Sequence, residues 1–356
     1  MSWEDNIRRV TPYTPGEQPK DRDIIKLNTN ENPYPPSEAV MKALSGDAGA
    51  GIAAVSPDAL RRYPDPAASA LVHAIAENIG VGDENVFVGV GSDDVLSMCF
   101  LTFFNSDKPV LFPDITYSFY DVWTDVYRIP YETVALDSDF RIKADDYKKP
   151  NGGIIFPNPN APTGVEEPQE LIRKILEENP DSVVIVDEAY VDFGACSAVP
   201  LLKEYDNLLV VQTFSKSRSM AGMRIGYAIG SAQMIKYLND VKYSVNSYTM
   251  SAAAIAAGVA SVKDTNAFED SRKKIIATRE RVKPLLKELG FSFPDSKANF
   301  IFATHEKVPA RELFEALREA KIFVRYFDKP RIDNYLRITI GTDDEMDALI
   351  EFLRKR

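Results

Sequence analysis

Two stretches decide the architecture: SVVIVDEAYVDF (182–193) and LLVVQTFSKSRSMAGMRIGY (208–227). Each opens with a short apolar run rich in β-branched residues, the pattern of a strand buried on both faces. Each run then ends abruptly in polar chemistry, Asp187 and Glu188 in the first, Thr213, Ser215 and Lys216 in the second. In open parallel sheets, ligands bind beyond the carboxyl ends of strands. Both stretches therefore predict a site as well as a fold.

Working outward, strand-like and helix-like segments alternate. ENVFVGVG (84–91), KPVLFPD (108–114), GGIIFPNPN (152–160) and RIGYAIG (224–230) read as strands. DDVLSMCFLTFF (93–104), ITYSFYDVWTDVY (115–127) and PQELIRKILEEN (168–179) read as helices. This alternation predicts an α/β fold, a mostly parallel central sheet covered by helices. A Pro- and charge-rich segment over residues 1–30 reads as an extended N-terminal arm, and GDAGAGIAAVSP (46–57) as a loop. After about residue 248 come two helices, then short strands (NFIFAT, IFVRYF, YLRITIG) mixed with helices. The expected organisation is thus an arm (1–30), a large ligand-binding domain (31–248) and a smaller α+β domain (249–356).

Composition narrows the function classes. The net charge of −11 argues against nucleic acid or an anionic membrane as the main partner. Two cysteines, Cys99 and Cys196, make no disulfide framework and point to a reducing cytoplasm. His73 and His305 are the only histidines and lack ligand spacing, so neither a metal centre nor a Ser-His-Asp triad is expected. No apolar run of membrane-spanning length and no signal-peptide h-region are seen.

Four motifs carry chemistry. In GVGSDDVLSMCF (89–100) a glycine-flanked strand end meets a helix start, where free N–H groups and Ser92 suit a phosphate or simply cap a helix. FPNPNAPTGV (156–165) is a rigid turn with outward amides, either ligand-binding or ordinary turn chemistry. Asp187 is a costly carboxylate unless it faces a cation, and Tyr190 lies three residues on. Lys216 emerges from an apolar strand, where desolvation frees its amine as a nucleophile, and Arg224 supplies a fork for a phosphate.

In order and spacing these motifs resemble the fold type I pyridoxal-5′-phosphate (PLP) aminotransferases, over nearly the whole chain. The resemblance implies Lys216 as the Schiff-base lysine and proton carrier, Asp187 against the pyridine nitrogen, Tyr190 on the ring oxygen and Tyr117 stacked on the ring. It implies Ser92, Asp93, Ser215 and Arg224 around the phosphate, with Thr213 close by. The family's usual Asn before Pro-Thr-Gly is Ala161 here, so Asn160 or Asn158 is expected to substitute. Within the family the chain is most similar to the histidinol-phosphate aminotransferase group, through RRVTPYTPGEQP (8–19), KLNTNENPYPPS (26–37), RRYPDP (61–66), NPNAPTG (158–164) and YLRITIG (335–341). That resemblance implies amino transfer between L-histidinol phosphate and 2-oxoglutarate, with no metal. Arg337 and Arg325 would bind the substrate anion and Tyr13 would line its imidazole side. Tyr63 would reach the neighbouring site of a homodimer. An aromatic amino-acid aminotransferase and a phospho-amino-acid decarboxylase are the alternatives on the same scaffold; a non-catalytic ligand sensor is a more distant one.

Overall fold

The computed structural model describes residues 2–19, 23–46 and 55–356, so most of the expected loop 46–57 and part of the arm lie outside the described residues. Thirteen strands are found among the described residues: β1 (Ile25–Lys26), β2 (Val86–Gly89), β3 (Val110–Pro113), β4 (Tyr131–Val134), β5 (Gly153–Pro157), β6 (Val184–Asp187), β7 (Leu208–Thr213), β8 (Gly226–Gly230), β9 (Phe291–Ser292), β10 (Phe300–His305), β11 (Ile322–Phe323), β12 (Arg325–Tyr326) and β13 (Leu336–Thr339).

Seven of them form one sheet in the order β2-β8-β7-β6-β5-β3-β4, with only β8 antiparallel to its neighbours. The central strands are buried along almost their whole length because helices cover both faces, as parallel strands require. One apolar core lies on one face, around Phe156, Val186, Val210 and Phe214; a second lies on the other, around Phe100, Phe112, Tyr120 and Ile185. β4 has no counterpart in the sequence reading. It is a short edge strand whose first three residues are exposed, so it carries no apolar run to find.

β9, β10, β12 and β13 form a small antiparallel sheet with its own core around Phe300, Ile338 and Leu349. The helix Ala252–Lys263, sequentially beyond residue 248, packs on helices Glu38–Ser45 and Ser69–Ile79 of the large core. Residues 25–30 depart from an extended arm. β1 pairs in parallel with β11, and Leu27, Asn28 and Asn30 are buried. Their alternating apolar and amide side chains fill the seam between the small sheet and the large one. Residues 7–19 do run without regular structure, after a single 3-10 turn at Trp3–Asn6. Among the described residues no helix is long and apolar enough to cross a membrane.

Candidate active site

The carboxyl ends of β5, β6 and β7 stand side by side: Pro157 pairs with Asp187, and Asp187 with Val211. This register brings Pro157, Asp187, Ser215 and Lys216 to one cavity of about 170 Å³, lined also by Ser92, Asp93, Tyr117, Ala161, Tyr190 and Arg224. The two groups on which the chemistry depends, Lys216 and Asp187, therefore share one hollow on one side of the sheet.

Asp187 is the floor. It is 4% exposed, and burial pushes its carboxyl up to about 6, against the lowering effect of two hydrogen bonds. The Tyr120 hydroxyl donates to Oδ2 at 3.0 Å and the Ala189 amide to Oδ1 at 3.2 Å. Tyr120 was not anticipated from the sequence. It is the first residue of helix Tyr120–Tyr127, fully buried among Phe100, Phe112 and Trp123. The helix starts later than the sequence suggests, leaving Tyr117 in the loop before it. Tyr117 lines the cavity and donates to Asp93 at 2.7 Å; burial and that carboxylate hold its phenol well above the usual range, so it stays neutral.

One end of the cavity is built for an oxyanion. Helix Ser92–Phe103 starts from Gly91, in left-handed backbone (φ 87°), with no side chain capping its first turn. Its leading N–H groups are left for a ligand. Ser92 is thus the first helical residue rather than the cap. A Cβ at position 91 would lie 2.4 Å from Arg224 Nη2, so only glycine lets the guanidinium approach this helix start. Arg224 lies 3.4 Å from Asp93 Oδ2, and Ser215 lines the same end. Thr213 stands behind, bonded to Ser215 Oγ at 3.0 Å, and is not part of the lining.

Asn160 departs from expectation. It does not line the cavity, and its amide donates to Ile115 O (3.1 Å) and Thr163 Oγ1 (2.9 Å). Asn158 donates to Glu167 O and accepts from Glu167 N. Both amide protons of Asn160 are committed to holding the turn, and Asn158, fully buried and bonded to Glu167, lies outside the lining. Tyr190 lines the cavity, and Lys216 Nζ lies 5.7 Å from its ring centroid.

The opposite wall comes from Thr29 and Glu31, with the small sheet bonded behind them; Arg325, Arg337 and Tyr13 are not part of the lining. Thr29 and Glu31 line the cavity, and Lys216 Nζ donates to Thr29 O at 3.2 Å. Neither was anticipated, although both lie within the quoted 26–37 motif. Arg337, in β13, is packed over Phe300 and Phe327 (5.4 and 5.6 Å) and donates to Asn28 O at 3.0 Å. Its Nε has no partner, and burial pulls its pKa down. Arg325 pairs with it directly across the strands, and neither makes an ion pair among the described residues. Tyr13 stacks on Phe119 at 4.2 Å. Tyr63 lies elsewhere: it is 81% exposed, stacks on Tyr248 at 4.6 Å and does not line this chain's cavity.

Comparison with known proteins shows the family. Residues 22–353 match the family model described as aminotransferase class I and II. A histidinol-phosphate aminotransferase of Clostridium beijerinckii is 50% identical over 352 residues, covering 99% of this chain and 96% of its own. One from Lactococcus lactis subsp. cremoris is 51% identical over 355 residues, covering 100% and 98%. Among solved structures, the histidinol-phosphate aminotransferase of Sinorhizobium meliloti in complex with pyridoxal-5′-phosphate shares the fold, with a TM-score of 0.83 at 23% identity over 94% of this chain and 92% of that one. A cavity that gathers a strand-end lysine, a buried carboxylate and a helix-start oxyanion cradle, on a chain matched end to end by these relatives, places the protein in the class I and II aminotransferase family.

Proposed function

We propose that the protein is a PLP-dependent transaminase that moves an amino group reversibly between L-histidinol phosphate and 2-oxoglutarate. One observation supports this most directly. A buried, ion-pair-free arginine, Arg337, stands with Arg325 across the seam from a cavity that holds Lys216, a site made for an anionic amino donor.

The residues fit the cofactor. The helix start at Gly91–Ser92, Arg224 and Ser215 would hold its phosphate, as the close approach that only glycine permits at position 91 indicates. Asp187, desolvated and in no ion pair among the described residues, fits a protonated pyridine nitrogen. Tyr117 would cover the ring. When bound, the cofactor supplies an electron sink for the bond being broken at the substrate carbon. The chain's own work is then acid–base and positional. Lys216 Nζ takes the substrate α-proton and returns it, and the carbonyl of Thr29 holds the amine when it is idle. Arg337 and Arg325 anchor the substrate anion, and Tyr13 faces the donor's ring.

We also read the protein as a cytoplasmic homodimer. The exposed apolar face of Leu60, Tyr63, Tyr243, Val245 and Tyr248 supports the dimer, with Tyr63 reaching the neighbouring site, and two free cysteines support the compartment. The deciding experiment is an amino-donor panel with 2-oxoglutarate: histidinol phosphate should exceed phenylalanine and threonine phosphate in kcat/KM. A clear preference for phenylalanine, or CO₂ release from threonine phosphate, would replace this reading.

A further inference from the structure

Asn30 itself is left without a task by the site described above, although its neighbours Thr29 and Glu31 line the cavity, and it is among the most constrained of the described residues. It is 1% exposed and sits in left-handed backbone (φ 57°). Every polar group it owns is engaged. Its N–H donates to Thr339 Oγ1 (3.0 Å), its carbonyl accepts from Asn299 Nδ2 (3.0 Å), its Oδ1 accepts from Thr339 Oγ1 (3.0 Å), and its Nδ2 donates to the Tyr190 hydroxyl (2.9 Å).

The directions of these bonds follow from donor counting. Thr339 Oγ1 receives the Asn30 N–H, and the acceptor found for its own proton is Asn30 Oδ1. That sets the amide orientation and turns Nδ2 toward Tyr190. Tyr190 must then accept, which leaves its own proton free on the side that lines the cavity. No amide donor competes there, because position 161 is alanine and Asn158 and Asn160 are committed elsewhere. Nearby Lys216 and Arg337 carry no acceptor for its proton, and the hydroxyl makes no bond to Glu31, Asp93 or Asp187, the carboxylates of the same cavity.

Resting on the PLP reading, we propose that Asn30 is a positioning residue: held by Thr339 and Asn299, it aims the Tyr190 proton at the cofactor's ring oxygen, the task an asparagine before Pro-Thr-Gly would otherwise share. The small sheet thereby orients a donor on the large-sheet side, through a strand that carries Arg337 two residues earlier.

Asn30→Asp is the sharpest test, because a carboxylate of the same shape accepts the Tyr190 proton and reverses the bond. In the reconstituted enzyme, the visible cofactor band should titrate at higher pH than in wild type by about one pH unit, approaching Tyr190→Phe, since a donor on the ring oxygen favours its anionic form. Asn30→Gly, which keeps the left-handed backbone, should shift it the same way by less. If Tyr190→Phe moves the titration while Asn30→Asp and Asn30→Gly both leave it at the wild-type pH, the inference is wrong and the cofactor reading stands. A wild-type protein that stays colourless with the cofactor removes both.

Discussion

The two walls of the cavity are made by different kinds of chain. The large-sheet wall, from β5, β6 and β7, presents side chains at the ends of buried parallel strands, and its buried carboxylate, Asp187, has a donor on each oxygen. The other wall, Thr29 and Glu31 backed by the small sheet, has its backbone held by side-chain bonds, and behind it a guanidinium nitrogen, Arg337 Nε, is left without a partner. A satisfied wall fixes one geometry; an unsatisfied buried cation stores affinity for an anion that has yet to arrive. The difference teaches that, on the proposed reading, cofactor and substrate would be held by separable parts of the molecule.

The largest effect that can break this division lies on the large-sheet wall. Lys216→Ala should lower kcat by about 10³-fold, within the usual reach of a positioned acid–base group, and abolish the cofactor's covalent absorption band. Retention of a tenth of the activity in single-turnover assays would take Lys216 out of the chemistry.

Asp187 offers a measure of how far that wall is preorganised for a cation. In the cofactor-free chain its carboxyl is raised to about 6 from an ordinary 3.8, so between those values the folded state holds a proton the unfolded state has released. Stability relative to Asp187→Asn should therefore be highest near pH 4 and fall as pH rises to 6, by at most about 3 kcal/mol. Urea unfolding of both cofactor-free proteins at about pH 3 and about pH 7, roughly one unit beyond each end of the steep region, measures the change. A difference that grows with pH would show that Asp187 already has a cationic partner.

Behind the other wall, Arg337→Gln should raise KM for the phosphorylated donor by about 10- to 100-fold, the worth of a charged hydrogen bond, while cofactor affinity stays within about threefold. Its thermal stability should not fall, because an unpaired buried charge is removed. Equal losses of substrate and cofactor binding would merge the two walls into one.

The smallest effect concerns a residue on neither wall. Tyr63→Phe should raise KM about fivefold, the cost of one neutral hydrogen bond. In a hybrid dimer of Lys216→Ala and Tyr63→Phe subunits, a Tyr63 that acts across the interface leaves one site intact with wild-type KM. A Tyr63 that acts within its own subunit leaves that site with the raised KM.

The residues that the sequence brings to one cavity are those that follow a strand. Lys216, Asp187, Ser215 and Pro157 reach the cavity because apolar runs end just before them or at them, and strand ends converge in a parallel sheet. Sequence reading missed Tyr120 because a tyrosine on an aromatic helix face looks like core; only packing against β6 turns its hydroxyl to Asp187. Asn160 was misassigned because spacing cannot tell which acceptors an amide already has. β4 went unread because an exposed edge strand lacks an apolar pattern.

By itself the sequence determined the α/β layering, the family and the large-sheet half of the site, since these follow from local periodicity and from residues close in the chain. Tertiary structure alone decided the other half. Asn30 meets Thr339 and Asn299, and Asn28 meets Arg337, across some 270 to 310 residues of chain. Such pairings arise only when two separate hydrophobic cores close on one seam, and no local pattern records which buried amide will find which partner there.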